Sequence, residues 1–311
     1  MTNFEKKLIS LLEKKYESIG DDCAVFDNYV ITTDSLVEDV HFSLSLSSPY
    51  QVGVKTGCAN LSDIAAMGAK PEFFLTSLSI PQNSIYFVDG FLRGMEDILE
   101  KYSVKLIGGD TTGSENSIFI NAVAIGKTIN NPVLRSGAKP GDKVYLAGVP
   151  GYSAIGYYLL VNNIEIKNPY YAYAVKKHLE PLPQVEEGII IGENNLATAM
   201  IDISDGLSKE INEICRKSKT GCILYSELFI LPEIDIFGFE DLIKYFLHSG
   251  EEYILLFTSE KTENEIKKFL PDSFFIGEIT EDEGVFLKIG SSLVKLNEFT
   301  YNHFDTEKGL Y

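Results

Sequence analysis

Three aspartates in this chain share a local grammar. Asp34 follows Val30-Ile31-Thr32-Thr33, Asp110 follows Leu106-Ile107-Gly108-Gly109, and Asp205 follows Met200-Ile201-Asp202-Ile203-Ser204. In each case a stretch of strand character is predicted to deliver a carboxylate at its C-terminal end, with Thr, Ser or Gly beside it. Open α/β sheets place their ligands at such strand ends. One Asp after a strand reads as a turn or cap residue; three of one pattern argue for a shared site. Gly108-Gly109 removes side chains just before Asp110, which admits a ligand to the backbone. Asp63 carries a different signal. It falls inside a predicted helix, with Thr56, Ala59, Ala66 and Met67 on its face. Its carboxylate is therefore expected to point into the protein, where it is costly unless paired or metal-bound. Asp21-Asp22 follows Ile19-Gly20 and by itself reads as a solvated loop pair.

Electrostatics decides what else such a site needs. Two carboxylates about 4 Å apart repel by roughly 4 kcal/mol at an effective dielectric near ~20. A cluster of five or six cannot stay ionised without cations, and hard oxygen ligands select Mg²⁺ or Ca²⁺ over zinc. Other phosphate cradles are missing. There is no G-x-x-x-x-G-K-[ST], and the nearest match, the six residues from Gly151 to Gly156, runs into Tyr157-Tyr158 and reads as a glycine-rich turn at a helix start. The protein-kinase signature set is absent too. Phosphate would be handled by metals, backbone amides and a few basic residues.

Composition narrows the partners. Lys+Arg total 27 against Asp+Glu 45, a net charge of −18. Such a surface repels nucleic acid and anionic membranes, so neither is expected as a partner. Cys23, Cys58, Cys215 and Cys222 form no C-x-x-C pair and no zinc-like spacing with the four histidines, so they read as reduced thiols. The N-terminus is charged and amphipathic, unlike a signal peptide. No apolar run approaches the ~18 residues needed to span a bilayer. A soluble, cytoplasmic protein is expected.

The elements that must position the acids follow from periodicity and breakers. Residues 4–16 have helical spacing. A strand is predicted over 29–33, then a helix over 50–67, started by Ser47-Ser48-Pro49 and ended by Gly68. Strands over 73–80, 104–107 and 117–126 alternate with a helix over 85–102. The richest turn zone spans 130–142, from Asn130-Asn131-Pro132 to Gly137-Ala138-Lys139-Pro140-Gly141-Asp142. The domain boundary is placed there, giving units 1–136 and 137–311. Beyond it come a strand over 143–147, helices from 153 and around 171–178 and 184–193, a strand over 197–203 and a helix from 207. The alternation predicts mixed α+β or α/β layers.

The motifs GDDCAVF (20–26), TTDSLVEDVHF (32–42), NLSDIAAMGAKP (60–71), LIGGDTT (106–112), RSGAKPGD (135–142) and IDISDGL (201–207), in this order across nearly the whole chain, resemble the thiamine-monophosphate kinase family. That family sits in the aminoimidazole ribonucleotide synthetase-like superfamily. The resemblance implies ATP and thiamine monophosphate as substrates, several Mg²⁺ ions, and a two-domain fold whose N-terminal sheets pair into a barrel in a homodimer. It implies metal ligation at Asp22, Thr32, Thr33, Asp34, Asp63, Asp110, Asp202 and Asp205. It implies ATP contacts at Gly109, Asp110, Arg135 and Ser204, and substrate contacts at His41, Glu251 and Tyr301. No residue is expected to act as an acid or base, because the acceptor is a phosphate oxygen already ionised near neutrality. The chain departs from the family at Glu252, where Asp is usual in a G-G-E-D-Y segment, at Gln184, where Arg is frequent, and at Ser35 for Thr. Two other readings are weighed: another ATP-using enzyme of the superfamily, and a nucleotide- or thiamine-phosphate binder without turnover. The first lacks the reactive Cys or Cys–Lys signatures of its selenophosphate and hydrogenase-maturation branches; the second is hard to reconcile with acids at every metal position.

Overall fold

The computed structural model describes residues 4–16 and 19–296. In chain order the first half runs α1 (Phe4–Glu13), β1 (Ala24–Phe26), β2 (Tyr29–Val37), α2 (Pro49–Ala66), β3 (Ala69–Pro81), α3 (Ile85–Lys101), β4 (Lys105–Ser114) and β5 (Phe119–Thr128). The strands form one five-stranded sheet in the order β1-β2-β5-β3-β4, antiparallel except for the β3–β4 pair. α2 starts as its sequence predicts. Ser48 accepts from the Gln51 backbone N–H, the Gln51 side chain accepts from the Ser48 N–H, and Pro49 occupies the first turn. The helix buries almost all of its circumference, with Leu61 and Ile64 fully enclosed. Each such side chain contributes about 2–3 kcal/mol by burial. Gly68, at φ 65°, lets the chain turn directly into β3.

The second half runs β6 (Lys143–Leu146), α4 (Tyr152–Val161), α5 (Pro169–Leu179), α6 (Val185–Glu193), β7 (Ala199–Asp202), α7 (Leu207–Ser218), β8 (Gly221–Tyr225), α8 (Phe239–His248), β9 (Leu255–Ser259), α9 (Glu263–Ile266), β10 (Phe274–Thr280), β11 (Gly284–Ile289) and β12 (Ser292–Lys295). Its seven strands order as β12-β11-β8-β10-β6-β9-β7. The mixed α+β character is as expected. Each sheet is open within the single chain. One hydrophobic core joins the halves: Met67 and Phe74 belong to the same buried cluster as Val185, Met200 and Phe257. α6, from the second half, packs on α2 and β3.

Two of the predicted strand ends are strand interiors. Asp34 sits within β2, opposite Ala122, and Asp110 sits within β4, opposite Ser77. The reason is pairing. β5 hydrogen-bonds β2 along its whole length, and β3 does the same for β4, so ladder bonds carry each strand past its polar residue. Only the Asp202–Asp205 segment leaves a strand end, after β7 and into α7. β4 is the sheet's outer strand, and nearly all of its residues are exposed.

Candidate active site

The N-L-S-D run of α2 organises the acids. Asn60 lies fully buried; its side-chain oxygen accepts from the Asp34 backbone N–H at 3.3 Å, and its amide donates to Thr56 O. Ser62 donates to Asp202 Oδ2 at 2.5 Å. Asp63 accepts from the Thr32 hydroxyl at 2.5 Å. Three side chains within one helical turn thus hold β2 and the end of β7 against α2. The consequence is a trio: carboxylate oxygens of Asp22, Asp63 and Asp202 lie within 4.8 Å of one another. Asp22, the loop acid that looked solvated, has a fully buried side chain.

Burial and mutual repulsion shift every member. Burial pushes the Asp202 carboxyl up to about 7, Asp22 adds to the rise, and the Ser62 hydrogen bond opposes it. Burial and the charges of Asp34, Asp202 and Asp22 raise Asp63 well above the carboxylate range. Asp34 is raised by burial and by Asp205 and Asp22. Arg135 is the counter-charge. Its Nη2 lies 2.7 Å from Asp22 Oδ1, and its backbone N–H donates to Asp21 Oδ1. Burial works against the guanidinium's charge, and Asp22 more than offsets it. Asp22 Oδ2 and Arg135 Nε are buried with no hydrogen-bond partner among the described residues. An orphaned carboxylate oxygen within a trio of hard donors fits a divalent cation such as Mg²⁺.

The IDISDG turn closes this side. Gly206 has φ 122°, and a Cβ there would meet the His248 backbone at 3.0 Å, so glycine is favoured. Lys209 pairs with Asp205 one turn along α7. Glu210 accepts from the Asp205 N–H at 3.1 Å; burial and Asp205 push its carboxyl up to about 8. Glu210 escaped the sequence reading. Its signal was a charge on the apolar stripe of α7, beside Leu207, Ile211 and Ile214.

A second polar centre forms where loop 249–253 rests on the same turn. Glu251 N–H donates to Ser204 O at 2.7 Å, and the Glu252 and Tyr253 N–H groups donate to Ile203 O. Glu251 and Tyr253 both adopt left-handed backbone, at φ 54° and 52°. Lys55 Nζ donates to Glu251 Oε2 at 2.8 Å, and His178 Nδ1 stands 3.7 Å from the same oxygen. Burial would raise Glu251, but Lys55 first, then His178 and His41, hold it below the usual range. His41 Nδ1 accepts from the Val37 N–H at 3.0 Å. Glu252 is fully buried, and its Oε1 accepts from the Gly151 and Ser153 N–H groups and from Ser249 Oγ. The glycine-rich start of α4 is thus filled by the chain's own carboxylate. Gln184 bridges Ala147 O and the Leu255 N–H.

Of the residues singled out from sequence, the fold gathers Asp22, Thr32, Asp34, Asp63, Asp202 and Arg135 into one electrostatic group, with Asp205 beside Asp34. Ser204 and Glu251 adjoin it. Others lie elsewhere. Thr33 turns to the opposite face of β2, where its hydroxyl donates to Ala122 O and accepts from Asn121 Nδ2. Asp110 is exposed on β4 and outside the trio. At Gly109 a Cβ would sit 1.9 Å from Thr76 O, so that glycine is required by packing against β3. Tyr301 lies outside the described residues. All four cysteines are free and buried.

Two halves joined across an acid-lined seam, with a trio of carboxylates that fits a cation beside an arginine, form the candidate active site. Residues 20–128 match AIR synthase related protein, N-terminal domain, and residues 139–290 match its C-terminal domain. The chain is 37% identical over 303 residues to the thiamine-monophosphate kinase of Buchnera aphidicola subsp. Acyrthosiphon pisum, covering 93% of each. It is 34% identical to that of Bacillus subtilis, covering 92% of this chain and 93% of that one. The structure of AaThiL complexed with AMPPCP and TMP superposes with a TM-score of 0.83 at 32% identity, over 94% of this chain and 96% of that one. The chain belongs to the thiamine-monophosphate kinase family.

Proposed function

We propose that this protein transfers the γ-phosphoryl group of ATP to the phosphate of thiamine monophosphate, giving thiamine diphosphate and ADP. The observation that carries this is the convergence of Asp22, Asp63 and Asp202 beside Arg135, in a chain similar over 93% of its length to a kinase of that name.

The difficulty in joining two phosphates is repulsion between polyanions rather than a missing base. The donor set of Asp22, Thr32, Asp34, Asp63, Asp202 and Asp205, all hard oxygens, would hold Mg²⁺. When bound, such ions neutralise the phosphates and polarise the transferred group. Asp110 and Thr33 are assigned to the same metal–nucleotide function. Arg135 supplies positive charge to the ATP phosphates, and the Gly109 and Ser204 backbones border them. His41, Glu251 and Tyr301 are assigned to the organic part of the acceptor. Lys209, Asn60 and Ser62 orient these groups rather than react.

The exposed edge of β4, with Leu106 and Ile107 at its surface, supports a homodimer in which two five-stranded sheets close a barrel. The domain boundary is assigned between 136 and 137. No helix among the described residues is long and apolar enough to cross a membrane, and a cytoplasmic location is assigned. The test is direct. Purified protein with Mg²⁺, ATP and thiamine monophosphate should yield thiamine diphosphate and ADP in equal amounts. Consumption of ATP only with a different acceptor would overturn the assignment.

A further inference from the structure

Lys55 is the outlying charge of α2. Its side chain is 4% exposed, and its ion-pair partner among the described residues is Glu251, which belongs to the other half of the chain. Nothing in the acid centre requires a buried ammonium eight residues before Asp63. Eight residues of helix rise about 12 Å. α2 therefore carries a carboxylate for the metal end of the site and, about 12 Å away, an ammonium that engages Glu251. A substrate with a phosphate at one end and an amino-bearing ring at the other spans such a separation.

The surroundings of Glu251 show what Lys55 does there. Both close contacts, from Lys55 Nζ at 2.8 Å and His178 Nδ1 at 3.7 Å, fall on Oε2. The Glu251 side chain remains 28% exposed. His178 is itself held. Ser153 Oγ lies 3.4 Å from the same ring nitrogen, and the Tyr157 ring packs against the imidazole at 5.3 Å between centroids. Loop 249–253 cannot swing the carboxylate away, because its backbone is tied to Ile203 and Ser204. The charges acting on Glu251 come from Lys55, His178 and His41, while Lys177, beside His178 on α5, acts on Cys58 and Glu252.

We propose that Lys55 is a positioning residue that clamps Oε2 of Glu251, with His178 packed beside the same oxygen, so that the remaining oxygen is presented to the amino group of the acceptor's aminopyrimidine ring. This rests on the proposed function. It adds residues that set acceptor recognition and the direction in which the acceptor lies, ring toward Lys55 and phosphate toward Asp63. Burial and Lys55 push His178 down to about 4, which keeps the ring neutral at working pH and leaves Lys55 as the single positive charge in the clamp.

The test is steady-state kinetics on the full-length enzyme with thiamine monophosphate and ATP varied separately. Lys55→Met is expected to raise KM for thiamine monophosphate by about tenfold or more, the effect of losing a charge-assisted hydrogen bond. KM for ATP and kcat should stay close to wild type, the pattern of lost binding rather than lost chemistry. Lys55→Arg should restore most of the affinity. In Lys55→Met the acid limb of kcat/KM for thiamine monophosphate should also move to higher pH, because burial of Glu251 is no longer offset by the ammonium. An unchanged KM for thiamine monophosphate, or equal rises for both substrates, overturns the proposal. So does an acid limb that stays in place. Should Lys55→Met fail to fold, His178→Gln carries the same test, with a several-fold rise in the same KM expected and no rise overturning the role. Wild-type enzyme that makes no thiamine diphosphate overturns the function itself; wild-type turnover with a silent clamp overturns the clamp alone.

Discussion

At the scale of single residues, the site is a store of repulsion. Asp202 is pushed up to about 7 and Asp63 above the carboxylate range because burial removes water and neighbouring acids add charge. The sign of the pH dependence follows. A folded-state value above the unfolded one means the folded protein holds protons longer, so this contribution to stability is full below about pH 4 and is lost as pH rises toward 7. Mg²⁺ should reverse that loss. We expect Mg²⁺ to raise the melting temperature more at pH 8 than at pH 5.5, where protons compete for the same oxygens, as differential scanning fluorimetry would register. A Mg²⁺ response independent of pH would argue against cation binding at the trio. Asp110 poses a different question, since it is exposed and outside the trio. Asp110→Asn should leave the melting temperature unchanged yet lower kcat by about 100-fold or more, as loss of a charge-stabilising group does. Near-normal kcat would remove Asp110 from the site.

At the scale of elements, α2 and the start of α4 do opposite jobs. α2 faces the site with hydroxyl, amide and carboxylate in one turn: Asn60 and Asp63 bond to β2, and Ser62 bonds to Asp202 at the end of β7. The sequence pointed to part of this, because Asp63 falls among small and apolar residues on one face of a predicted helix. The start of α4 resembled a phosphate cradle and is instead closed by Glu252. Three donors share that one buried oxygen, so Glu252→Ala should destabilise the fold by about 3 kcal/mol, read from chemical denaturation. A loss below about 1 kcal/mol would mean that water replaces the carboxylate there.

At the scale of the whole molecule, the acids of the first half are completed by Asp202, Asp205 and Glu210 of the second. The shared core explains why the seam is rigid enough to hold them: Met67 and Phe74 pack in one cluster with Met200 and Phe257. The outer strand β4 points to association. Its residues are exposed on both faces, with Ile107 54% and Leu106 42% exposed. An outer strand unpaired among the described residues, with Leu106 and Ile107 exposed on it, invites another strand. We expect wild-type protein to run as a dimer in light scattering and Ile107→Lys to run as a monomer; a monomeric wild type would count against the barrel.

The sequence by itself indicated hard oxygen ligands and the order of elements along the chain. Hard acids without a phosphate loop call for cations whatever the fold, and helix caps and breakers act locally, as Ser48-Pro49 and Gly68 do at the two ends of α2. It also named the family through motifs spread across the chain. Only the tertiary structure decided which acids meet. Asp22 read as solvated because nothing local says that Arg135, over a hundred residues on, will cover it. Asp34 and Asp110 read as strand ends because ladder partners are invisible in one dimension. Glu210, Lys55 and His178 were missed for the same reason: a buried charge is recognisable only by its partner, and each partner comes from another part of the chain or across a turn. Burial and pairing are long-range quantities, and they turned a scatter of aspartates into a site.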